Sequence, residues 1–410
     1  MLSIKTMSKN NIKIFDTSLR DGEQCPGASM TIEEKVLIAA ALEDAKVDII
    51  EAGFPASSPT DLKAVSRIAS EINDSTVCAL SRCTRADIDK AYEALKGNDN
   101  TRLHLFISTS PLHMKYKLGK EPEQVLEAIE DCVTYARDKF PEVQWSCEDG
   151  TRSDLEFLYK CFDTAIKCGA ETVNIADTVG YILPSEMESM VRKIHENVND
   201  IDKVVFSVHC HNDLGNAVAN SIASLNAGAR QVECTINGIG ERAGNASLEE
   251  VVMTLKVRED LNYACRFQSR RLASLSKLIS TITGFPVPPN KAIVGSNAFA
   301  HESGIHQHGV LQHRGTYEIM DPEEVGAGSS KIVIGKHSGK HAIYYFLFDK
   351  GYKNISVNQL DDIFSRFKDA VALDKNVNHD DLLSIAEEVL SPDSRVMNKD
   401  KHKGTTHVAN

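Results

Sequence analysis

Eight short β-type runs recur in the first part of the chain. They are Ile12–Asp16, Val47–Gly53, Thr76–Leu80, Arg102–Ser108, Val143–Cys147, Thr172–Ile175, Val204–Val208 and Gln231–Thr235. Longer segments with helical periodicity lie between them. Thr31–Leu42 puts Ile32, Val36, Ala39 and Ala40 on one face; Leu155–Ala165 does the same with Leu155, Leu158, Phe162 and Ala165, and Ala217–Leu225 is spaced similarly. Eight strand–helix units in series are the pattern of an α/β fold of the (β/α)8 TIM-barrel type. A doubly wound sheet is the alternative, and the strand count favours the barrel.

Residues 10–284 are therefore expected to form the barrel, followed by small, mainly helical subdomains. Phe285-Pro-Val-Pro-Pro289 reads as an extended linker opening a subdomain over 285–345, in which Asn297–Val310, rich in His and Gly, reads as a short helix. Gln359–Ala370 carries Leu360, Ile363, Phe364 and Phe367 on one helical stripe, best read as core, and Asp381–Leu390 suggests another helix. These place a small helical subdomain over 346–395 and a disordered tail over 396–410.

The ends of the β-type runs carry the polar residues. Arg20 and Asp21 follow the first, Glu51 lies within the second, Arg82 follows the third, and Ser108 and Thr109 end the fourth. Glu148 and Asp149 close the fifth, Asp177 and Thr178 the sixth, and His209 and His211 the seventh. Asn237 and the loop Gly238-Ile-Gly-Glu-Arg-Ala-Gly-Asn245 follow the eighth. Barrel enzymes build their sites at strand C-terminal ends and the loops beyond them. Singly, each residue reads as loop surface; together they point to a shared cavity.

Val208-His-Cys-His-Asn-Asp-Leu-Gly215 is the most specific of these stretches. Alternation along a strand turns His209 and His211 to one face and Cys210 to the other. Two adjacent imidazoles make half a metal site. Asp21 and Asn245 would complete a set of one carboxylate, two imidazoles and one amide oxygen, suited to Mn2+, Mg2+ or Zn2+. Open positions on such a cation would let a 2-oxo acid chelate and have its ketone polarised. Arg20 would then stabilise the developing oxyanion, or else form a plain salt bridge at the barrel mouth. The run from Gly238 to Gly244 has the wrong spacing for a dinucleotide loop; its glycines suit a loop passing close enough for Asn245 to reach the cation. Outside the barrel, Ser303-Gly-Ile-His-Gln-His-Gly309 offers His306 and His308 as a general base or acid, or as surface histidines.

Composition excludes several classes. A net charge of -12 argues against a nucleic-acid binder, so an anionic substrate needs a local cation. The ten cysteines include no Cys-x-x-Cys pair, which speaks against a zinc ribbon and for a reducing, cytoplasmic setting. Met1–Asn11 lacks a signal-peptide core, and no apolar run is long enough to span a bilayer, so no membrane partner is expected.

Several long motifs in order allow a resemblance to be stated. Phe15-Asp-Thr-Ser-Leu-Arg-Asp-Gly-Glu-Gln24, Ile50-Glu-Ala-Gly-Phe-Pro55, Val208–Gly215, Asn237–Asn245 and Asn297-Ala-Phe-Ala-His-Glu-Ser-Gly-Ile-His306 resemble the 2-isopropylmalate synthase family of metal-dependent Claisen-condensing barrels. The resemblance implies condensation of acetyl-CoA with 2-oxoisovalerate, the first committed step of leucine biosynthesis. It implies a divalent cofactor (Mn2+ or Mg2+, with Zn2+ the alternative) on Asp21, His209, His211 and, more peripherally, Asn245. It further implies that Arg20 polarises the keto oxygen, that Glu148 belongs to the deprotonation machinery, and that Thr178 meets the keto-acid carboxylate beside His104 and Ser146. His306 matches the histidine that helps remove a methyl proton from acetyl-CoA, acting across a homodimer through the segment that completes the active site.

The chain departs from the family pattern at His308, commonly Asp, at Asn216, commonly apolar, and at Ala176, often Pro. A tyrosine that some members place before the motif seen here as Ser338-Gly339 has no clear match. The sequence given stops at Asn410, so the leucine-binding regulatory domain of full-length members is expected to be absent. Two rival readings stand beside the main one. A citramalate, homocitrate or methylthioalkylmalate synthase would need an Arg or His deep in the pocket for a second carboxylate, with His104 and Arg82 as candidates. A non-catalytic paralogue binding a full-length partner is the other, and retention of all four proposed ligands argues against it.

Overall fold

The eight β-type runs become eight parallel strands closed on themselves: β1 Lys13–Asp16, β2 Ile49–Gly53, β3 Thr76–Arg82, β4 Thr101–Ser108, β5 Glu142–Glu148, β6 Thr172–Asp177, β7 Val205–Cys210 and β8 Gln231–Cys234. The structure is a computed structural model and describes residues 9–374 and 377–390. Neighbours in the barrel follow chain order, and β1 closes the ring by pairing with β8, Phe15 opposite Glu233. A helix follows each strand: α1 Ile32–Asp44, α2 Pro59–Glu71, α3 Arg85–Leu95, α4 Pro122–Arg137, α5 Leu155–Lys167, α6 Pro184–Asn197, α7 Ala217–Asn226 and α8 Leu248–Val257. A further helix, α9 Leu272–Thr283, follows the barrel. Parallel strands need such crossovers, because a tight hairpin cannot join them. Side-chain caps start several helices, among them Thr31 with a reciprocal Glu34 bond for α1 and Ser58, followed by Pro59, for α2.

Alternation sorts the strand side chains. On β4, Leu103 and Leu105 are fully buried on the face opposite Arg102 and His104. On β5, Trp145 meets Phe162 of α5 edge-on with ring centroids 5.5 Å apart. The α1 stripe differs from the sequence reading: the buried face is Lys35, Ile38, Ala39 and Leu42, and Ala40 is exposed. Lys35 is buried because its ammonium pairs with Glu23 at 2.6 Å and Asp61 at 3.1 Å, tying the loop after β1 to the first turn of α2. Hydrophobic periodicity cannot register a buried lysine. A short strand at Asn10–Asn11, paired with Tyr263–Ala264, was not foreseen either.

The chain divides into two compact units at Gly295/Ser296. The second contains α10 Gly304–Gln312, α11 Lys340–Asp349, α12 Val357–Leu373 and α13 His379–Leu390, with a short parallel pair formed by Ala300–His301 and Lys331–Ile332. Ile363 and Phe367 of the expected stripe are fully buried against Ile343, Leu347, Leu382 and Ala386, while Leu360 and Phe364 pack at the edge. The expected tail over 396–410 lies outside the described residues. No helix among the described residues is long and apolar enough to cross a membrane.

Candidate active site

The C-terminal strand ends surround a cavity of about 310 Å³. Eight residues singled out from the sequence line it: Arg20, Asp21, His104, Ser146, Glu148, Thr178, His209 and His211. Asn245 stands behind Asp21, and His306 belongs to the second unit. A larger cavity, about 460 Å³, lies beside Tyr263–Ala264, but no carboxylate or imidazole lines it, so the concentration of acid–base groups decides for the mouth.

Asp21, His209 and His211 bring one ligand atom each to within 4.8 Å of one another, all three buried. His209 Nε2 lies 3.8 Å and His211 Nε2 3.7 Å from Asp21 Oδ2, with the two rings 4.9 Å apart. A divalent cation with bonds near 2.1 Å holds its ligand atoms roughly 3–4.3 Å apart, so the spacing fits. His209 Nδ1 is 3.0 Å from Glu233 Oε2. A carboxylate only accepts, so Nδ1 donates and the Nε2 lone pair is free on the Asp21 side. Asn245 Oδ1 is buried without a hydrogen-bond partner, as a ligand atom around a cation would be. The Asn245 amide nitrogen donates to Asp21 Oδ1 at 2.8 Å and to the Ile239 carbonyl at 3.1 Å, so its ligating oxygen is the atom left over.

The electrostatics suit an anionic ligand set. Burial alone would raise Asp21, but the Arg20 guanidinium, the two imidazoles and the Asn245 amide hold its carboxyl well below the usual range. Burial, with the His209 ring beside it, pushes His211 down to about 4, which keeps it neutral at pH 7. Burial opposes charge on His209 as well, yet Glu233 and Asp21 outweigh it and raise its pKa.

Glu51, wholly buried on β2, organises the adjoining wall. It accepts from Arg20 Nε at 2.6 Å and pairs with His104 Nδ1 at 2.7 Å. Burial disfavours its charge, but Arg20 and His104 prevail and lower its pKa. Arg20 also donates to Asp21 Oδ2 at 2.7 Å. The second His104 nitrogen meets Ser146 Oγ at 2.5 Å, and Asn174 donates to the same hydroxyl at 2.9 Å. A second carboxyl–imidazole–thiol group, Glu51, His104 and Cys78, is compact, but burial raises the Cys78 thiol far above its usual pKa and the other two already have partners. Glu148 is held by Ser108 and Lys117. Thr178 Oγ1 accepts the Asp149 backbone N–H at 2.9 Å, made possible by the left-handed φ of 57° at Asp149. Its own hydroxyl proton is thereby left to donate. Arg82 is turned aside: it forks onto Asp87 at 2.7 and 3.0 Å and is 59% exposed.

Two glycines let the last loop pass this closely. A Cβ at Gly240 would sit 2.1 Å from Asn245 Nδ2, and one at Gly244 1.9 Å from the Gly238 carbonyl. Glu233, Asn174 and the apolar wall of Phe54, Leu80 and Phe106 were not singled out as functional from the sequence. Register was the available signal for Glu233: it stands opposite His209 across the β7–β8 pair.

Residues 11–279 match the HMGL-like family model, and residues 293–375 match the homocitrate synthase post-HMGL domain-like model, which defines the class as HMGL-like barrels carrying that following domain. A 2-isopropylmalate synthase of Bradyrhizobium sp. (strain ORS 278) is 54% identical over 93% of this chain and 72% of its own length. One from Caulobacter sp. (strain K31) is 53% identical over 93% and 73%. The chain belongs to the 2-isopropylmalate synthase family. Solved structures of a hydroxymethylglutaryl-CoA lyase from Pseudomonas aeruginosa (TM-score 0.59, 18% identity, 68% of this chain and 96% of that one) and of the carboxyl transferase domain of Rhizobium etli pyruvate carboxylase (0.53, 15%, 67% and 48%) share the barrel fold.

Proposed function

We propose that the cavity condenses acetyl-CoA with 2-oxoisovalerate to 2-isopropylmalate, releasing CoA. The observation that carries this choice of acid is the cavity wall. Phe54, Leu80, Phe106 and Ala176 form its apolar side, His104 has both ring nitrogens engaged, and Arg82 is bound to Asp87. A keto acid with a branched apolar tail fits such a wall; a second carboxylate would find no uncommitted cation among these candidates.

Asp21, His209, His211 and Asn245 are the residues to hold a divalent cation, Mn2+ or Mg2+ with Zn2+ the alternative. When bound it supplies Lewis acidity at the keto oxygen. Arg20, fixed between Glu51 and Asp21, offers its guanidinium to the alkoxide that forms from that oxygen. Thr178 donates its hydroxyl proton to the keto-acid carboxylate beside Ser146. His306 takes the methyl proton of the thioester, so that the carbanion carbon bonds to the ketone carbon, with Glu148 assisting from the cavity wall. Water then cleaves the thioester to the free acid and CoA, which makes the sequence irreversible. His306 stands in the second unit, and we assign it to the cavity of a partner subunit in a cytoplasmic homodimer, the 285–345 segment completing that site.

CoA release measured over a panel of 2-oxo acids tests the reading. A kcat/KM for 2-oxoisovalerate well above those for pyruvate and 2-oxoglutarate is expected. Parity among the three would reject the named substrate.

A further inference from the structure

A polar thread runs through the barrel, and its donors and acceptors can be ordered from one end. Arg102 on β4 is 1% exposed, and its guanidinium can only donate. Its Nε and Nη2 bond Glu142 at 2.9 and 2.7 Å. Its Nη1 bonds Gln144 Oε1 at 3.1 Å and Gln231 Oε1 at 2.8 Å. Gln231 must therefore turn its Nε2 outward, and it donates to Gln144 Oε1 at 3.0 Å and to Ser207 Oγ at 2.9 Å. With two donors on its oxygen, Gln144 is left to donate from Nε2, and it meets Glu233 Oε1 at 2.5 Å. The other oxygen of Glu233 accepts from His209 Nδ1 at 3.0 Å. Gln144, Gln231 and Glu233 are 0–1% exposed, so water offers no alternative partner.

We propose that Glu233, with Gln144 and Arg102 behind it, is a positioning device that sets the tautomer of His209. The fixed polarity of the guanidinium passes through one amide to the carboxylate, places the imidazole proton on Nδ1 and presents the Nε2 lone pair beside Asp21. Register makes the device possible: His209 stands opposite Glu233, and Ser207 opposite Gln231, two residues further down the same strands. The inference rests on the cation reading of Asp21, His209 and His211 for its consequence, though not for its hydrogen-bond logic. Glu233 touches neither substrate nor cation in this account.

Donor–acceptor counting gives a specific test. In Glu233→Gln the new amide can satisfy Gln144 only by accepting from it, which turns its own NH2 toward His209 Nδ1. The ring then moves its proton to Nε2 and loses the ligating lone pair. In the double variant Gln144→Glu, Glu233→Gln, the carboxylate at 144 accepts from Arg102, Gln231 and the new amide, whose oxygen again accepts from His209 Nδ1. Charge and shape are conserved and the polarity is restored.

The experiment is 15N NMR of His209 in the full chain after chelation, at alkaline pH where the ring is neutral, together with Mn2+ titration calorimetry. The wild type should show the Nδ1–H tautomer. Glu233→Gln should show Nε2–H and bind Mn2+ roughly 10- to 100-fold more weakly, and the double variant should return both readings toward the wild type. A wild-type ring protonated on Nε2, a single variant that keeps Nδ1–H and full affinity, or a double variant no better than the single overturns the proposal. If instead the wild type binds no Mn2+ while the tautomers behave as stated, the cation reading fails and the positioning device stands.

Discussion

Two pairs of histidines sit one residue apart in this chain, and their surroundings are opposite. His209 and His211 are each 6% exposed, with carboxylates of Asp21 and Glu233 close to their nitrogens. His306 and His308 are exposed on α10, and their ring neighbours are aromatic: Tyr317 at 4.2 Å from His306 and His341 at 5.6 Å from His308. The first pair is oriented by charges the barrel itself supplies. The second pair has its rings beside aromatic neighbours instead.

The sharpest way to break this contrast is to remove the carboxylate the first pair shares. Asp21→Asn should weaken Mn2+ binding by more than the roughly 10- to 100-fold typical of outer-shell changes, with CoA release falling to background. Near-normal affinity by calorimetry would show that the imidazoles are not held around a cation. Next in size is His306→Ala. Turnover should fall by on the order of 10²–10⁴-fold while Mn2+ and 2-oxoisovalerate bind as before. Equal loss of binding and turnover would place His306 in folding or assembly instead.

The last effect, on stability rather than turnover, concerns burial of a carboxyl against hydroxyl and amide donors. Asp16 ends β1 and is buried, like Asp21 and Glu51, but the hydrogen bonds to its carboxylate come from the Ser18 backbone N–H and hydroxyl. Burial raises its pKa to about 7, the Ser18 hydrogen bonds offsetting this only in part, and Glu249 and Glu51 add to it. A carboxyl raised in the folded state contributes stability that is complete below the unfolded value near 3.8 and is lost as pH rises through about 7. The chelated wild type should therefore lose ground to Asp16→Asn between those limits, by at most about 4 kcal/mol. Thermal unfolding of both proteins at mildly acidic and mildly alkaline pH checks this. A variant whose stability does not rise relative to the wild type as pH rises contradicts it.

The barrel was legible because its strands are short apolar runs at regular spacing, and all eight appear within a few residues of the expected bounds. Eight of the residues lining the cavity were legible because they sit at or near strand ends, where this fold collects its chemistry. What stayed hidden depends on register and on through-space pairing. Glu233 lies inside a strand, two residues before its chemistry-bearing loop, and only its position opposite His209 gives it meaning. Lys35 reads as polar surface until Glu23 and Asp61 are seen to meet it. Arg82 looked like a pocket cation, yet Asp87, five residues on and at the start of α3, takes it away from the cavity. The turn chemistry of Asp149, which frees the Thr178 proton, has no signature in hydrophobic pattern.

Anomalous diffraction from crystals grown with Mn2+ and 2-oxoisovalerate tests the central claim most directly. One peak is expected, bonded to Asp21, His209 and His211, with the keto acid's carboxylate toward Thr178 and its isopropyl group against Leu80 and Phe106. A peak elsewhere, or a keto acid bound with no cation among those three side chains, would contradict it.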